Sequence, residues 1–206
     1  MKYRFVIFDF DGTLADSLAA AVAIFNRLAP RYRLNPVADL EAARATPTRT
    51  LLKQTGVSFW KLPRVVRAFQ AAAAEEADRL RVFAGLSAAL AALAARGVIL
   101  GVLSSNREDT IRRCLRANGV EEYFAFVVGY PKLFGKAKAL RRIMRAEAAD
   151  PADVLYVGDE LRDVEAALKA KVAVAAVTWG FHAESLLAGA GPTYLIRDPG
   201  ELAGLV

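Results

Sequence analysis

The chain has 206 residues, of which 55% are hydrophobic and 24% are charged. The length excludes two large independent domains, and the composition excludes a disordered chain, which would be poor in apolar residues. The net charge is +6 at pH 7. This excess is small and lacks the blocks of like charge that are typical of nucleic-acid-binding tails, so we expect no nucleic-acid partner.

The counts of cysteine and histidine exclude two further classes of protein. A single cysteine, Cys114, cannot form an internal disulfide, and one cysteine with one histidine cannot build a Cys/His zinc site. The longest apolar stretch, Leu86 to Leu103, is interrupted by an arginine and a glycine, so we expect no membrane-spanning helix. The apolar run from Phe5 to Phe8 is too short for a signal peptide, and we expect a cytoplasmic protein.

Short apolar runs alternate with segments of helical period along most of the chain. The predicted strands are Phe5 to Phe8, Val98 to Leu103, Phe124 to Val128, Val154 to Val157 and Val172 to Val177. The predicted helices between the later strands are Arg107 to Ala117, Lys136 to Glu147 and Leu161 to Ala170. Continuous apolar strands that alternate with helices are typical of a parallel sheet covered on both faces. The sequence therefore predicts an α/β fold with a doubly wound parallel sheet.

The alternation stops between the first two strands. The segment from Leu18 to Leu80 contains no convincing strand and carries Ala, Leu, Arg and Glu at helical spacing. Its prolines are Pro30, Pro36, Pro47 and Pro63. Because proline ends a helix or occupies its first turn, they divide the segment into about four helices. With boundaries near Asp16 and Val82, residues 1–16 and 82–206 are predicted to form the α/β core and residues 17–81 an inserted α-helical cap.

Carboxylates and other polar side chains follow the predicted strands, and in an open α/β sheet ligands bind beyond these carboxyl ends. The groups are Asp9 and Asp11 after the first strand, Ser105 and Asn106 after the second, Lys136 after the third and a loop, and Asp159, Glu160 and Asp163 after the fourth. Several carboxylates at one edge would repel each other unless a cation lay among them. Mg²⁺ prefers ligands that are all oxygen, so the sequence predicts a Mg²⁺ site.

The remaining polar groups at this edge suit a phosphate. Lys136 supplies a positive charge, and the Ser105 hydroxyl and nearby backbone N–H groups supply hydrogen-bond donors. Phosphoryl transfer is the chemistry that these groups indicate. Asp9 can attack phosphorus and form an aspartyl phosphate. Asp11 lies two residues further on the same side of an extended chain, and it can give a proton to the leaving oxygen and take one from water.

Four motifs resemble those of the haloacid dehalogenase superfamily and occur in that family's order. They are Asp9-Phe10-Asp11-Gly12-Thr13-Leu14, Ser105-Asn106, Lys136 and Gly158-Asp159-Glu160-Leu161-Arg162-Asp163. The helical insertion resembles the small helical cap of the phosphoglycolate phosphatase-like branch. The resemblance implies a Rossmann-like core, Asp9 as nucleophile, Asp11 as acid/base group, and Asp159 as metal ligand with the backbone carbonyl of Asp11.

The resemblance also implies that Ser105 and Lys136 bind the substrate phosphate. We expect Gly12, Thr13 and Asn106 to contact it as well. The predicted function is a Mg²⁺-dependent phosphatase acting on a small phosphorylated metabolite. One alternative is a sugar phosphomutase of the same superfamily. The other is a signalling module that accepts phosphate on aspartate without hydrolysis, against which Asp11 and the cap both argue.

Three assignments within the motifs stay open. Ser104 competes with Ser105 for the phosphate, and Lys132 and Lys138 compete with Lys136. Either Glu160 or Asp163 supports the metal site, and we count Asp163 among the predicted metal ligands.

The residues around Pro47 and His182 are weaker candidates for the functional site. The cluster around Pro47 consists of Arg44, Thr46, Thr48, Arg49 and Lys53, and a solvated helix face is the favoured interpretation. His182 follows the last predicted strand, and we expect an ordinary loop histidine there. The sequence predicts neither the substrate nor the oligomeric state.

Overall fold

The strands form where the sequence places β-branched and aromatic residues in continuous runs. The computed structural model describes residues 2–130 and 135–206. Within this part of the chain, the strands are β1 (Phe5–Phe8), β2 (Ile99–Ser104), β3 (Phe124–Gly129), β4 (Val154–Gly158), β5 (Ala173–Val177) and β6 (Tyr194–Ile196). They form one sheet of parallel strands in the order β3-β2-β1-β4-β5-β6. The predicted parallel α/β sheet is confirmed.

Four inserted helices lie between β1 and the helix that precedes β2, in a stretch where every residue is described. They are α1 (Leu18–Tyr32), α2 (Leu40–Arg44), α3 (Thr48–Gln54) and α4 (Leu62–Glu76). α1 packs along α4, and Ala29, Leu34, Val57 and Val65 form a small buried apolar cluster of their own. The chain leaves and rejoins the sheet at adjacent positions, since the Asp16 N–H donates to the Arg81 carbonyl at 2.8 Å.

Helices cover both faces of the sheet. They are α5 (Leu86–Ala95), α6 (Glu108–Ala117), α7 (Lys136–Ala146), α8 (Leu161–Ala170) and α9 (Glu184–Ala188). Side chains alternate between the faces along a strand. In β1, Val6 and Phe8 therefore join the apolar cluster that includes α5 and α6, whereas Phe5 and Ile7 join the cluster that includes α7, α8 and α9. Burial on both faces explains why the β1 sequence is apolar throughout.

The structure differs from the sequence-based expectation at β6 and at Pro30, and it also contains α5 and α9, which were not predicted. β6 was not predicted, because its residues Tyr194–Ile196 form too short a run to stand out, and pairing with β5 is what makes it a strand. Pro30 does not end a helix but lies in the last turn of α1. Proline in the last turn loses the hydrogen bond to the carbonyl four residues earlier, and α1 continues for only two more residues, to Tyr32, with Arg33 in the left-handed region at φ 51°.

The helices in residues 2–130 and 135–206 include none with both the length and the apolar composition that crossing a bilayer requires. The apolar stretch from Leu86 to Leu103 is divided between α5 and β2.

Candidate active site

The strand order fixes where a ligand can bind. The chain proceeds outward from β1 through β2 to β3, then returns to the other side of β1 and proceeds outward through β4, β5 and β6. This reversal leaves a crevice at the carboxyl ends of β1 and β4, which is where open α/β sheets bind ligands. Asp9 directly follows β1, and Asp159 directly follows β4. The topology therefore brings two predicted site residues, 150 positions apart in the chain, to the same crevice.

Three carboxylates meet in this crevice. Asp9, Asp159 and Asp163 each place an oxygen within 4.8 Å of the other two, and all three residues are buried. A set of buried carboxylate oxygens without sulfur or nitrogen suits a hard divalent cation such as Mg²⁺. The chemistry of the donor set thus fits the metal that the sequence predicts.

Lys136 is the cation that contacts the carboxylate cluster. Its Nζ lies 2.6 Å from Asp9 Oδ2 and 2.6 Å from Asp163 Oδ1. The side chain is buried at the N-terminus of α7, and Gly135 precedes it at φ 109°, a conformation that other residues rarely adopt. Lys138, the rival on the same helix, is exposed. The rival Lys132 lies outside the described residues.

Burial makes the negative charge of the cluster costly. It raises the pKa of Asp9 to about 7, although the Lys136 ammonium opposes the shift. Burial also raises the pKa of Asp159 well above its ordinary value, and the neighbouring Glu160 carboxylate raises it further. One ammonium does not balance three carboxylates. A bound divalent cation would favour their charged forms and reverse these shifts.

Asp159 is held by two hydrogen bonds from flanking loops. The Thr13 hydroxyl donates to its Oδ1 at 2.6 Å, and the Phe181 N–H donates to its Oδ2 at 2.7 Å. A Cβ on Gly12 would lie 2.2 Å from Asp159 Oδ2, and one on Gly180 would lie 2.4 Å from the same atom. Both glycines are thus required for this close approach. Thr13 is fully buried and its hydroxyl orients Asp159; its predicted contact with phosphate stays a prediction.

Asp11 points away from the carboxylate cluster toward the second predicted motif. Its Oδ2 accepts a hydrogen bond from Asn106 Nδ2 at 3.4 Å. Asp11, Ser105 and Asn106 together line a cavity of about 250 Å³ between the sheet edge and the inserted helices. The rival Ser104 is buried, and its hydroxyl accepts from the Asn106 N–H at 3.0 Å. Ser105 is therefore the serine that faces the cavity.

A second polar cluster joins the core to the inserted helices. Glu160 Oε2 accepts from the Thr48 hydroxyl at 2.6 Å, and Oε1 forms an ion pair with Arg162. Burial alone would raise the pKa of Glu160, but the Arg162 charge and hydrogen bond outweigh it and lower the pKa to about 2. Glu160 thus faces the inserted helices, and Asp163 is the residue that joins the carboxylate cluster.

His182 belongs to the same polar cluster. Its Nδ1 accepts from the Leu161 N–H at 2.9 Å, and its Nε2 lies 3.3 Å from the Thr48 hydroxyl. His182 is buried, so the expectation of an ordinary loop histidine is wrong. The expectation of a solvated face holds for Arg49 and Lys53, which are exposed, but not for Thr48.

Gln70 is a polar cavity residue for which the sequence gives no signal. Gln70 on α4 donates from Nε2 to the Ser105 carbonyl at 2.8 Å. No motif surrounds Gln70, and only the packing of α4 over the second motif brings it to the site.

Comparison with known proteins gives consistent results. A family model described as haloacid dehalogenase-like hydrolase matches residues 6–177. The chain is 38% identical over 199 residues to the phosphoglycolate phosphatase of Synechococcus elongatus, which covers 96% of this chain and 94% of that protein. It is 25% identical over 210 residues to the pyrophosphatase PpaX of Oceanobacillus iheyensis, covering 100% and 98%.

Among solved structures, the chain is similar to the crystal structure of a predicted phosphatase from Clostridium acetobutylicum. The TM-score is 0.86 at 25% sequence identity, and the match covers 100% of this chain and 98% of that one. The residues matched by the family model run from β1 to the end of β5 and contain the whole carboxylate cluster.

Proposed function

The chain belongs to the haloacid dehalogenase-like hydrolase family, and from this premise we propose that it is a Mg²⁺-dependent phosphatase that hydrolyses a small phosphomonoester through an aspartyl-phosphate intermediate. The observation that carries the proposal is the cluster of Asp9, Asp159 and Asp163, buried against Lys136 and adjoining a cavity lined by Asp11. A nucleophile, a cation site and a proton carrier are thereby within one crevice.

In the first step, a carboxylate oxygen of Asp9 attacks phosphorus, and the bond from phosphorus to the ester oxygen breaks. Asp11 donates its proton to that leaving oxygen, so the alcohol departs neutral. The hydrogen bond from Asn106 to Asp11 Oδ2 holds the carboxyl group at the cavity wall, where the leaving group must lie.

In the second step, water attacks the phosphorus of the aspartyl phosphate. Asp11, now ionised, takes the proton from that water, and Asp9 is released with inorganic phosphate. Lys136 lies against Asp9 and offers positive charge to the phosphoryl oxygens, where negative charge builds up. Ser105 supplies a further donor from the cavity wall.

We propose Mg²⁺ as the cation of the carboxylate cluster, held by Asp9, Asp159 and Asp163 with the backbone carbonyl of Asp11. When bound, such a cation stabilises charge that develops on phosphoryl oxygens. The residues that surround the cluster bury it and orient its members: Thr13 and the Phe181 N–H hold Asp159.

We also propose the domain division predicted from the sequence, with residues 1–16 and 82–206 as the core and residues 17–81 as the cap. The hydrogen bond between Asp16 and Arg81, where the chain leaves and rejoins the sheet, supports these boundaries. The proposed partner is a small phosphorylated metabolite, and a cytoplasmic location stays a prediction.

The test is a screen of phosphorylated metabolites with Mg²⁺, in which kcat/KM is measured and phosphoglycolate serves as the reference compound. The Asp9→Asn variant should lower kcat/KM by about 10³-fold or more while the protein stays folded, because it removes the nucleophile. Acid quenching during turnover should trap phosphate on the wild-type chain only. Activity of Asp9→Asn within about tenfold of wild type would refute the covalent mechanism.

The same experiment separates the alternatives. A phosphorylated chain that persists for hours would indicate a phosphate-accepting signalling module. A product that keeps its phosphate at a different hydroxyl would indicate a mutase.

A further inference from the structure

The cavity of about 250 Å³ extends from the catalytic edge into the inserted helices. Its floor includes Asp11, Ser105 and Asn106. Under the proposed function, on which this inference rests, Asp11 protonates the leaving oxygen. The part of the substrate attached to that oxygen must therefore occupy this cavity.

The walls contributed by the inserted helices are mostly apolar, with Arg44, Thr48 and Gln70 among the polar exceptions. The apolar side chains include Val22 and Phe25 of α1, Leu51 of α3, and Val66 and Phe69 of α4. Each of these side chains points between packed helices. Each is nevertheless only partly buried, because it faces the cavity. Burying a charged group against such walls would cost far more free energy than burying an apolar one.

Three charged side chains also line the cavity: Arg44, Glu160 and Arg162. Arg162 forms an ion pair with Glu160, and Glu160 also accepts from Thr48. Arg44 donates to the Thr178 carbonyl at 3.2 Å and lies 3.5 Å from Glu41. Each of these groups has a protein partner, although Arg44 Nε makes no hydrogen bond within the described residues. The residues that α1, α3 and α4 contribute to the cavity are mostly apolar.

The size of the cavity is also informative. A dry apolar cavity of about 150 Å³ binds benzene, and large apolar cavities destabilise a protein when they stay empty. The present cavity has room for an aromatic ring with a short alkyl chain, or for an alkyl chain of about six carbons.

We propose that this cavity binds an apolar leaving group, so that the preferred substrates are phosphomonoesters of alkyl or arylalkyl alcohols instead of esters whose alcohol carries a charge. The apolar walls then set specificity through the area they remove from water, while the polar floor performs the chemistry.

The first measurement compares ethyl, butyl and hexyl phosphate with phosphoglycolate as substrates in the presence of Mg²⁺. Each additional buried methylene should raise kcat/KM about threefold, so hexyl phosphate should exceed ethyl phosphate by at least about tenfold. Phosphoglycolate should be the poorer substrate, because its carboxylate enters an apolar space.

A matched pair of variants on α1 tests the location. Ala21 lines the cavity, whereas Ala23 is exposed. Ala21→Phe should lower the ratio of hexyl to ethyl phosphate activity about fivefold or more, and Ala23→Phe should leave the ratio unchanged. If Ala21→Phe fails to fold, Ala21→Leu provides the same comparison with a smaller side chain.

Calorimetric titration with 1-hexanol separates this inference from the proposed function, because it needs no turnover. If 1-hexanol binds the wild-type chain but not Ala21→Phe, and no phosphomonoester is hydrolysed, the apolar subsite stands and the phosphatase proposal fails. If phosphomonoesters are hydrolysed with no dependence on chain length, and 1-hexanol does not bind, the phosphatase proposal stands and the apolar subsite is refuted.

Discussion

Replacement of Lys136 by methionine tests how much the Lys136 ammonium stabilises the buried carboxylates of Asp9 and Asp163. Lys136 Nζ lies 2.6 Å from an oxygen of Asp9 and 2.6 Å from an oxygen of Asp163, and all three side chains are at most 3% exposed. Methionine retains an unbranched apolar side chain but leaves the two carboxylates without their ammonium. Removing one partner of a buried ion pair costs about 3–5 kcal/mol. We expect this loss in the free energy of unfolding of metal-free protein at pH 8.

The pH dependence of the loss has a defined sign. An aspartate in the unfolded chain has a pKa of about 4, whereas the folded-state pKa of Asp9 is raised to about 7. Between these values the folded state binds more protons, so stability falls as the pH rises through this window. Without Lys136 to oppose the shift, the pKa of Asp9 rises further, so the fall in stability continues to higher pH. The deficit of Lys136→Met should therefore be largest at pH 8 and much smaller near pH 5.

Urea-induced unfolding in the presence of EDTA, at pH 5 and pH 8, measures both quantities. The control is Lys138→Met, two residues further along α7, where the lysine is exposed and its replacement should change stability by about 0.5 kcal/mol or less. A loss at pH 8 no larger than that of the control, or a loss that does not depend on pH, would refute this account of the cluster.

Three further predictions concern the acid/base group, the metal and the contact between the inserted helices and the core. Asp11→Asn should lower kcat at least about tenfold more for an alkyl phosphate than for p-nitrophenyl phosphate, whose leaving group needs no proton; equal losses would argue that Asp11 is structural. Ca²⁺ should inhibit turnover at fixed Mg²⁺, because it can bind both oxygens of Asp9, and initial rates as high with Ca²⁺ alone would contradict a metal-bound nucleophile. Thr48→Val removes the 2.6 Å hydrogen bond to Glu160 and should lower stability by about 1 kcal/mol, measured by thermal unfolding; the same substitution at exposed Thr50 should have no effect, and equal effects would show that the contact is unimportant.

Much of the fold and of the site was predictable because both depend on local sequence. A continuous apolar run such as Phe5–Phe8 has no polar face, so it indicates a strand buried on both sides. Parallel strands place their carboxyl ends at one edge, and this rule places Asp9 and Asp159 on the same edge. Their proximity depends on the pairing of β1 with β4, which the structure provides. The family identified from the motifs and the parallel α/β sheet are confirmed. The roles of the individual site residues stay proposals.

The choice between neighbouring candidates was decided only by the tertiary structure. Glu160 and Asp163 are separated by less than one helical turn, yet Asp163 meets Asp9, whereas Glu160 meets Thr48. The sequence shows both as acidic residues at a helix start, a pattern that the helix dipole also explains. Which carboxylate faces the metal site depends on the orientation of α8 against the sheet.

The sequence by itself thus determined the parallel α/β class, five of the six described strands and the order of the motifs, because each of these depends on residues that are adjacent in the chain. The tertiary structure alone decided what surrounds the motifs. Gln70 and His182 reach the site through contacts between segments more than twenty residues apart, and the apolar cavity exists only because α1 and α4 pack together without filling the space above Asp11. Such contacts follow from side-chain packing between distant segments, which local sequence patterns do not predict.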